Sequence, residues 1–101
     1  MNIFDLPELP QADEITTVLA ESGGVRIARI ISAGQTTDWY DQSETEFVAL
    51  LQGLAVIEYE NGGSVDLKTG DTLLIKPREK HRVSFTSSDP PCVWLCVFYS
   101  C

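Results

Sequence analysis

The chain has 101 residues, 44% of them apolar and 22% charged, which is the make-up of one ordinary globular domain and excludes a disordered chain. Its formal net charge of −8 disfavours nucleic acid and anionic membrane as partners, because a phosphate array would repel it. No stretch approaches the roughly 18 consecutive apolar residues of a membrane span.

The opening segment, MNIFDLPELPQADE, has neither a basic start nor a long apolar run, so it does not read as a secretory signal. Residues 1–12, which include Pro7 and Pro10, read as an arm, and residues 13–101 as the single domain. The β-branched run Ile15, Thr16, Thr17 and Val18 favours strand over helix. Strands are predicted at 15–20, 25–32, 46–52, 54–60, 64–67, 72–76, 81–86 and 92–99. Turns at Ser22-Gly23-Gly24, Asn61-Gly62-Gly63, Thr69-Gly70-Asp71 and Ser87 to Pro91 separate them. The Asn61-Gly62 pair predicts a tight hairpin turn with positive φ at both residues. Short strands at this spacing, with essentially no helix, predict an all-β antiparallel sandwich or barrel.

Alternation along the strands says which side chains share a face. In 81–86, His81, Val83 and Phe85 are expected to point inward, with Arg82, Ser84 and Thr86 toward water. In 46–52, Glu46, Val48 and Leu50 form one face and Phe47, Ala49 and Leu51 the other. Both faces are apolar apart from Glu46, so both must be covered. The opposite sheet covers one. The arm or a second subunit covers the other, which predicts a homodimer. Arg29 shares its face with Val25, Ile27 and Ile31. It either lies at the rim or against Glu46, or reaches into a cavity to bind a ligand carboxylate or phosphate.

Cys92, Cys96 and Cys101 crowd the C-terminal end. An odd number without a signal peptide reads as reduced thiols in a cytoplasmic protein. The first two read as small buried apolar groups and Cys101 as a mobile terminal residue. No second ligand pair follows Cys92 and Cys96, which leaves a zinc reading without support.

Two blocks carry a resemblance. They are GQTTDWYDQSETEFVALLQG, from Gly34 to Gly53, and GDTLLIKPREKHRVSF, from Gly70 to Phe85. The cupin family has two motifs, G-x5-H-x-H-x3,4-E-x6-G and G-x5-P-x-G-x2-H-x3-N. Gly34, Glu46, Gly53, Gly70 and His81 match them in place, so the chain resembles a small single-domain cupin with a jelly-roll barrel. Tyr40 and Gln42 stand where the first motif has histidines. In the second motif Lys76, Arg78 and Phe85 stand for Pro, Gly and Asn, with Pro77 one residue late.

The resemblance implies that Tyr40, Gln42, Glu46 and His81 converge on one pocket. A divalent transition metal (Zn, Mn, Ni or Fe), if one is held there, takes Glu46 and His81 as its firm ligands. Gln42 would be third and water would complete the shell. Without a metal, His81 and Glu46 are a buried polar pair. Trp39 and Tyr40, just before the 46–52 strand, would sit at the pocket mouth, where aromatic rings stack a planar ligand. Ligand-binding candidates are therefore Arg29, Trp39 and Tyr40.

Three function classes follow. The first is a small-molecule-binding cupin, with any catalysis being acid–base chemistry by His81, Glu46 and Tyr40. The second is a non-catalytic ligand sensor or structural homodimer. The third is a metal-dependent dioxygenase, against which the loss of both first-motif histidines argues.

Overall fold

The computed structural model describes residues 1–9 and 12–100. Cys101 and part of the arm, Pro10 and Gln11, lie outside the described residues. Within them the chain forms eight strands and no helix: β1 Ile15–Ser22, β2 Val25–Ser32, β3 Thr45–Gln52, β4 Leu54–Tyr59, β5 Ser64–Lys68, β6 Thr72–Ile75, β7 His81–Thr86 and β8 Cys92–Tyr99. Each predicted strand is present, with ends within two residues of those expected. Among the described residues no helix is long and apolar enough to cross a membrane.

The strands build two antiparallel sheets, one of five in the order β1-β2-β8-β3-β6 and one of three in the order β5-β4-β7. The alternation that the sequence shows dictates how they close. Val48 and Leu50 of β3 and Cys92, Trp94 and Cys96 of β8 meet Ala55 and Ile57 of β4 and Leu67 of β5 in one apolar cluster. That burial between the sheets, worth about 25 cal/mol per Å² of apolar surface, is the main force holding the sandwich together.

Three details bear on the expectations from the sequence. β7 carries a bulge at Ser84, since Val56 pairs with Phe85 and Ile57 with Val83. The extra residue flips the faces beyond it. Phe85 is therefore 49% exposed rather than inward, and Thr86 is buried with its hydroxyl donating to the Gln35 carbonyl at 2.6 Å. At the β4–β5 turn only Gly62 has positive φ, and Asn61 does not. There the Gly62 N–H bonds the Tyr59 carbonyl at 2.9 Å, so the turn is longer than the expected two-residue form. Arg78, at the place of the second motif's glycine, takes φ 62°.

The outer face of the five-stranded sheet is only partly covered. The arm docks over β2, where Nη1 of Arg29 donates to the carbonyls of Asp5 at 2.8 Å and Ile3 at 3.3 Å. Arg29, Ile31 and Val93 are buried on that side. Farther across, Phe47 of β3 and its registered partner Leu74 of β6 stay 38% and 48% exposed.

Candidate functional site

The segment before β3 runs antiparallel to β7 and fixes the site. Tyr40 and His81 exchange two backbone hydrogen bonds of 2.7 and 3.0 Å, which puts their side chains side by side, ring centroids 5.8 Å apart. One turn of chain on, the Gln42 carbonyl accepts from the Arg78 N–H at 2.8 Å, tying the loop before β7 to the same segment. Glu46 enters from the inward face of β3. Tyr40, Gln42, Glu46 and His81 thus converge, as the motif offsets imply, on a cavity of about 400 Å³ between the sheets.

His81 is 3% exposed and its ring has a fixed orientation. Nδ1 lies 2.8 Å from the Glu79 carbonyl, which can only accept, so Nδ1 carries the proton. In the neutral ring Nε2 is then an acceptor, and it faces Oε1 of Glu46 at 3.8 Å. The same Oε1 accepts from the Gln42 amide at 3.2 Å. Burial pushes the Glu46 carboxyl above the usual range, and the Gln42 hydrogen bond, His81, the Cys96 thiol and Arg26 offset this only in part.

Around this pair the cavity wall holds groups that the motifs do not announce. Glu14, just before β1, is held above the usual carboxyl range by burial and then by the charge of Glu46, with the Ser32 hydroxyl pulling it back. Ser32 also accepts from Nε1 of Trp94 at 3.1 Å, which holds its hydroxyl in place behind the wall. The Cys96 thiol is pushed well up by burial and by Glu46, to which it donates. It is buried, as read from the sequence, but it is part of the pocket rather than inert packing. Burial, followed by the charges of Glu14 and Glu46, raises the Tyr40 phenol. Arg26 lines the cavity too, paired with Glu44 at 3.5 Å and lying 4.3 Å over the Phe98 ring.

Two expected ligand-binding residues lie elsewhere. Arg29 alternates with the pocket-lining Arg26, Ala28 and Ile30, so it points to the outer face and clamps the arm. It is neither a partner of Glu46 nor a group of the cavity. Trp39 stands outside the lining, with the Arg82 guanidinium 4.8 Å over its ring. Both faces of VRIARIIS read apolar with one arginine each, so alternation alone could not say which arginine faces in. Glu14 and Cys96 belong to no motif; a carboxylate just before an apolar strand and a cysteine alternating with Trp94 and Phe98 were their only signals.

The donor set does not fit a tightly held transition metal. His81 Nε2 and the Glu46 carboxylate are its firm donors, whereas such sites ordinarily use three or more. The Gln42 amide nitrogen turns to Glu46, which places a hydrogen-bond donor where the expected third ligand would be. Tyr40 supplies a phenol whose proton is held more tightly than usual. Among the described residues no cluster of three or more His, Cys, Asp or Glu suits a metal ion.

Comparison with known proteins agrees with this architecture. The Cupin domain model matches residues 29–98. A provisionally assigned mannose-6-phosphate isomerase from Ralstonia eutropha JMP134 shares 35% identity over 100% of this chain and 97% of its own, with a TM-score of 0.93. A cupin superfamily protein from Desulfitobacterium hafniense DCB-2 superposes with a TM-score of 0.79 at 20% identity, over 92% of this chain and 83% of that one. A cupin domain from Bordetella pertussis Tohama I gives 0.72 at 20% identity, over 93% and 100%. No curated protein matches. With the two motif blocks folded against one cavity and the family model spanning residues 29–98, the chain belongs to the cupin family.

Proposed function

We propose that the protein binds a small molecule in the cavity between its sheets and needs no resident transition metal to do so. The observation that carries this is the convergence of Tyr40, Gln42, Glu46 and His81 on about 400 Å³ of largely apolar space, within the range of roughly 300–1,000 Å³ usual for ligand pockets. Any chemistry there is proton transfer. A buried carboxyl held above its usual range beside an imidazole is suited to move a proton at Glu46, with Tyr40 and His81 flanking the substrate. The Ralstonia relative's description as an isomerase is in keeping with that class of reaction.

A ligand screen by thermal shift, read together with the Trp94 indole resonance, tests the reading. A true occupant at a hundredfold excess over its dissociation constant stabilises the fold by about 2.7 kcal/mol and moves that resonance. Stabilising compounds that leave Trp94 unmoved would place binding elsewhere and overturn it.

A second reading, compatible with the first, is that the protein is a homodimer. Phe47 and Leu74, paired across β3 and β6, form an apolar surface that the arm leaves open, and a second copy would cover it. The free thiols of Cys92 and Cys96 support a cytoplasmic setting.

A further inference from the structure

Two carboxyl groups, Glu14 and Glu46, and the His81 ring line the cavity together. With Nδ1 donating to the Glu79 carbonyl, Nε2 of His81 is an acceptor in the neutral ring. It is 97% buried as a residue, opens to the cavity, and has no hydrogen bond of its own, Glu46 standing 3.8 Å away. Glu46 and Glu14 add two carboxylates. The guanidinium in the lining, that of Arg26, is engaged by Glu44 and by the Phe98 ring. Glu46 already accepts from the Gln42 amide, a neutral donor, and the Ser32 hydroxyl acts on Glu14, so two carboxyl groups line one cavity whose guanidinium is paired with Glu44. Much of the rest of the wall is apolar or aromatic, including Trp94, Phe98 and Tyr40, with Thr16, Thr37, Gln42 and Cys96 among them.

We propose that the cavity takes a ligand with an ammonium head and an apolar body, the head seated among Glu14, Glu46 and Nε2 of His81. An ammonium brings the positive charge that the neutral donors at the site do not, with three N–H groups to share among the carboxyl oxygens and Nε2. Aromatic faces at the wall add cation–π attraction in a partly desolvated site. The protein's net charge of −8 favours the approach of a cation and opposes that of an anion. A phosphorylated sugar would bring its dianion against the same two carboxylates. This inference rests on the reading of the cavity as a ligand pocket and names the class of its ligand.

Titration of the full chain with n-hexylammonium, 1-hexanol, hexanoate and mannose 6-phosphate, followed by calorimetry and by the Trp94 indole resonance, tests it. The amine should move Trp94 and bind at least about tenfold more tightly than the alcohol of the same length. Glu46→Gln and Glu14→Gln should each weaken the amine by about tenfold or more, and by more than they weaken the alcohol. The comparison of amine with alcohol in the unsubstituted protein stands even if a variant folds poorly. Hexanoate or mannose 6-phosphate moving Trp94 at lower concentration than the amine would overturn the ligand class and leave the pocket reading intact. The same holds for equal binding of amine and alcohol. If neither these probes nor a neutral fragment screen moves Trp94, both readings fall.

Discussion

Nε2 of His81 stands 3.8 Å from Oε1 of Glu46, beyond hydrogen-bond length, with both atoms acceptors in the neutral-ring form. Direct pairing of the two side chains would need a proton between them. Burial supplies the tendency, since it favours the uncharged carboxyl of Glu46. The pair is therefore held open by its own chemistry, and a proton or a donor from outside would close it.

A pH dependence follows. The folded-state value of Glu46 lies above its unfolded value, so its contribution to stability is fully present below about pH 4.5 and is lost as pH rises through the folded value. Glu46→Gln is always neutral and has no such loss. The stability of the variant relative to the parent should grow with pH above 4.5, by about 1.4 kcal/mol per unit until the folded value is passed. Glu14, raised partly by Glu46, contributes with the same sign. Urea unfolding at pH 4 to 8 measures it. A difference that stays flat across that range would mean the Glu46 carboxyl is solvated like any other.

Arg78 sits at φ 62° where the second motif has glycine. The left-handed region costs an L-residue about 1–2 kcal/mol, against about 0.5–1 kcal/mol for the extra unfolded-state freedom of glycine. Its ion pair with Asp41, 3.4 Å and exposed on both sides, contributes little. Arg78→Gly should therefore raise stability slightly, by up to about 1 kcal/mol, while Arg78→Val should lower it by more, being β-branched. Thermal melts of the two variants decide it. A less stable glycine variant would mean that the Asp41 contact outweighs the backbone strain.

Gly53, the last residue of the first motif, makes a sharper case. Its φ is 101°, and a Cβ there would lie 2.8 Å from Sγ and 3.0 Å from Cα of Cys92. Gly53→Ala should cost about 2–4 kcal/mol, the sum of conformational strain and overpacking. Cys92→Ala should not rescue it, because the backbone contact remains. Recovery of full stability in the double variant would show that the thiol alone sets the requirement.

The fold was legible because period-2 alternation and turn residues recur at short spacing, and these set strand number and order of faces without reference to partners. What the sequence did not disclose arises where the register slips. Ser84 adds a residue opposite β4, and from there Phe85 and Thr86 exchange the faces expected of them. Such a bulge leaves no local signature in RVSFT. The convergence of Tyr40, Gln42, Glu46 and His81 could be read from motif offsets, because matched offsets bring β3 and β7 to one cavity. Glu14, Arg26 and Cys96 could not, since each joins the wall through a pairing remote in sequence.

Arg29 clamps the arm rather than a ligand. Its guanidinium is buried, bonds the carbonyls of Ile3 and Asp5, and leaves Nε without a partner. Arg29→Ala should lower stability by about 2–3 kcal/mol, since hydrogen bonds from a charged group are worth about 1.5–3 kcal/mol each and part of that is recovered by freeing Nε from burial. Amide exchange in residues 2–9 should speed up, while the Trp94 indole resonance stays in place. A shifted Trp94 signal with unchanged arm exchange would reverse the assignment.

The open part of the same sheet gives the last expectation. Phe47 and Leu74 face outward from registered positions on β3 and β6, and β6 is the edge strand of its sheet. An exposed apolar strand pair at an edge invites association, and natural proteins usually blunt such edges with charge. The outward positions here carry none. A second copy laid across this face would cover Phe47 and Leu74 in both molecules at once, as two-fold symmetry requires. A stable interface needs about 1,000 Å² or more in total, so neighbouring outward residues such as Val97 must join. Sedimentation of the parent at micromolar concentration should show a dimer, and Phe47→Glu should convert it to a monomer with its melting temperature now independent of concentration. A parent that sediments as a monomer at tens of micromolar would remove the dimer and leave Phe47 as a solvent-facing residue of the free chain.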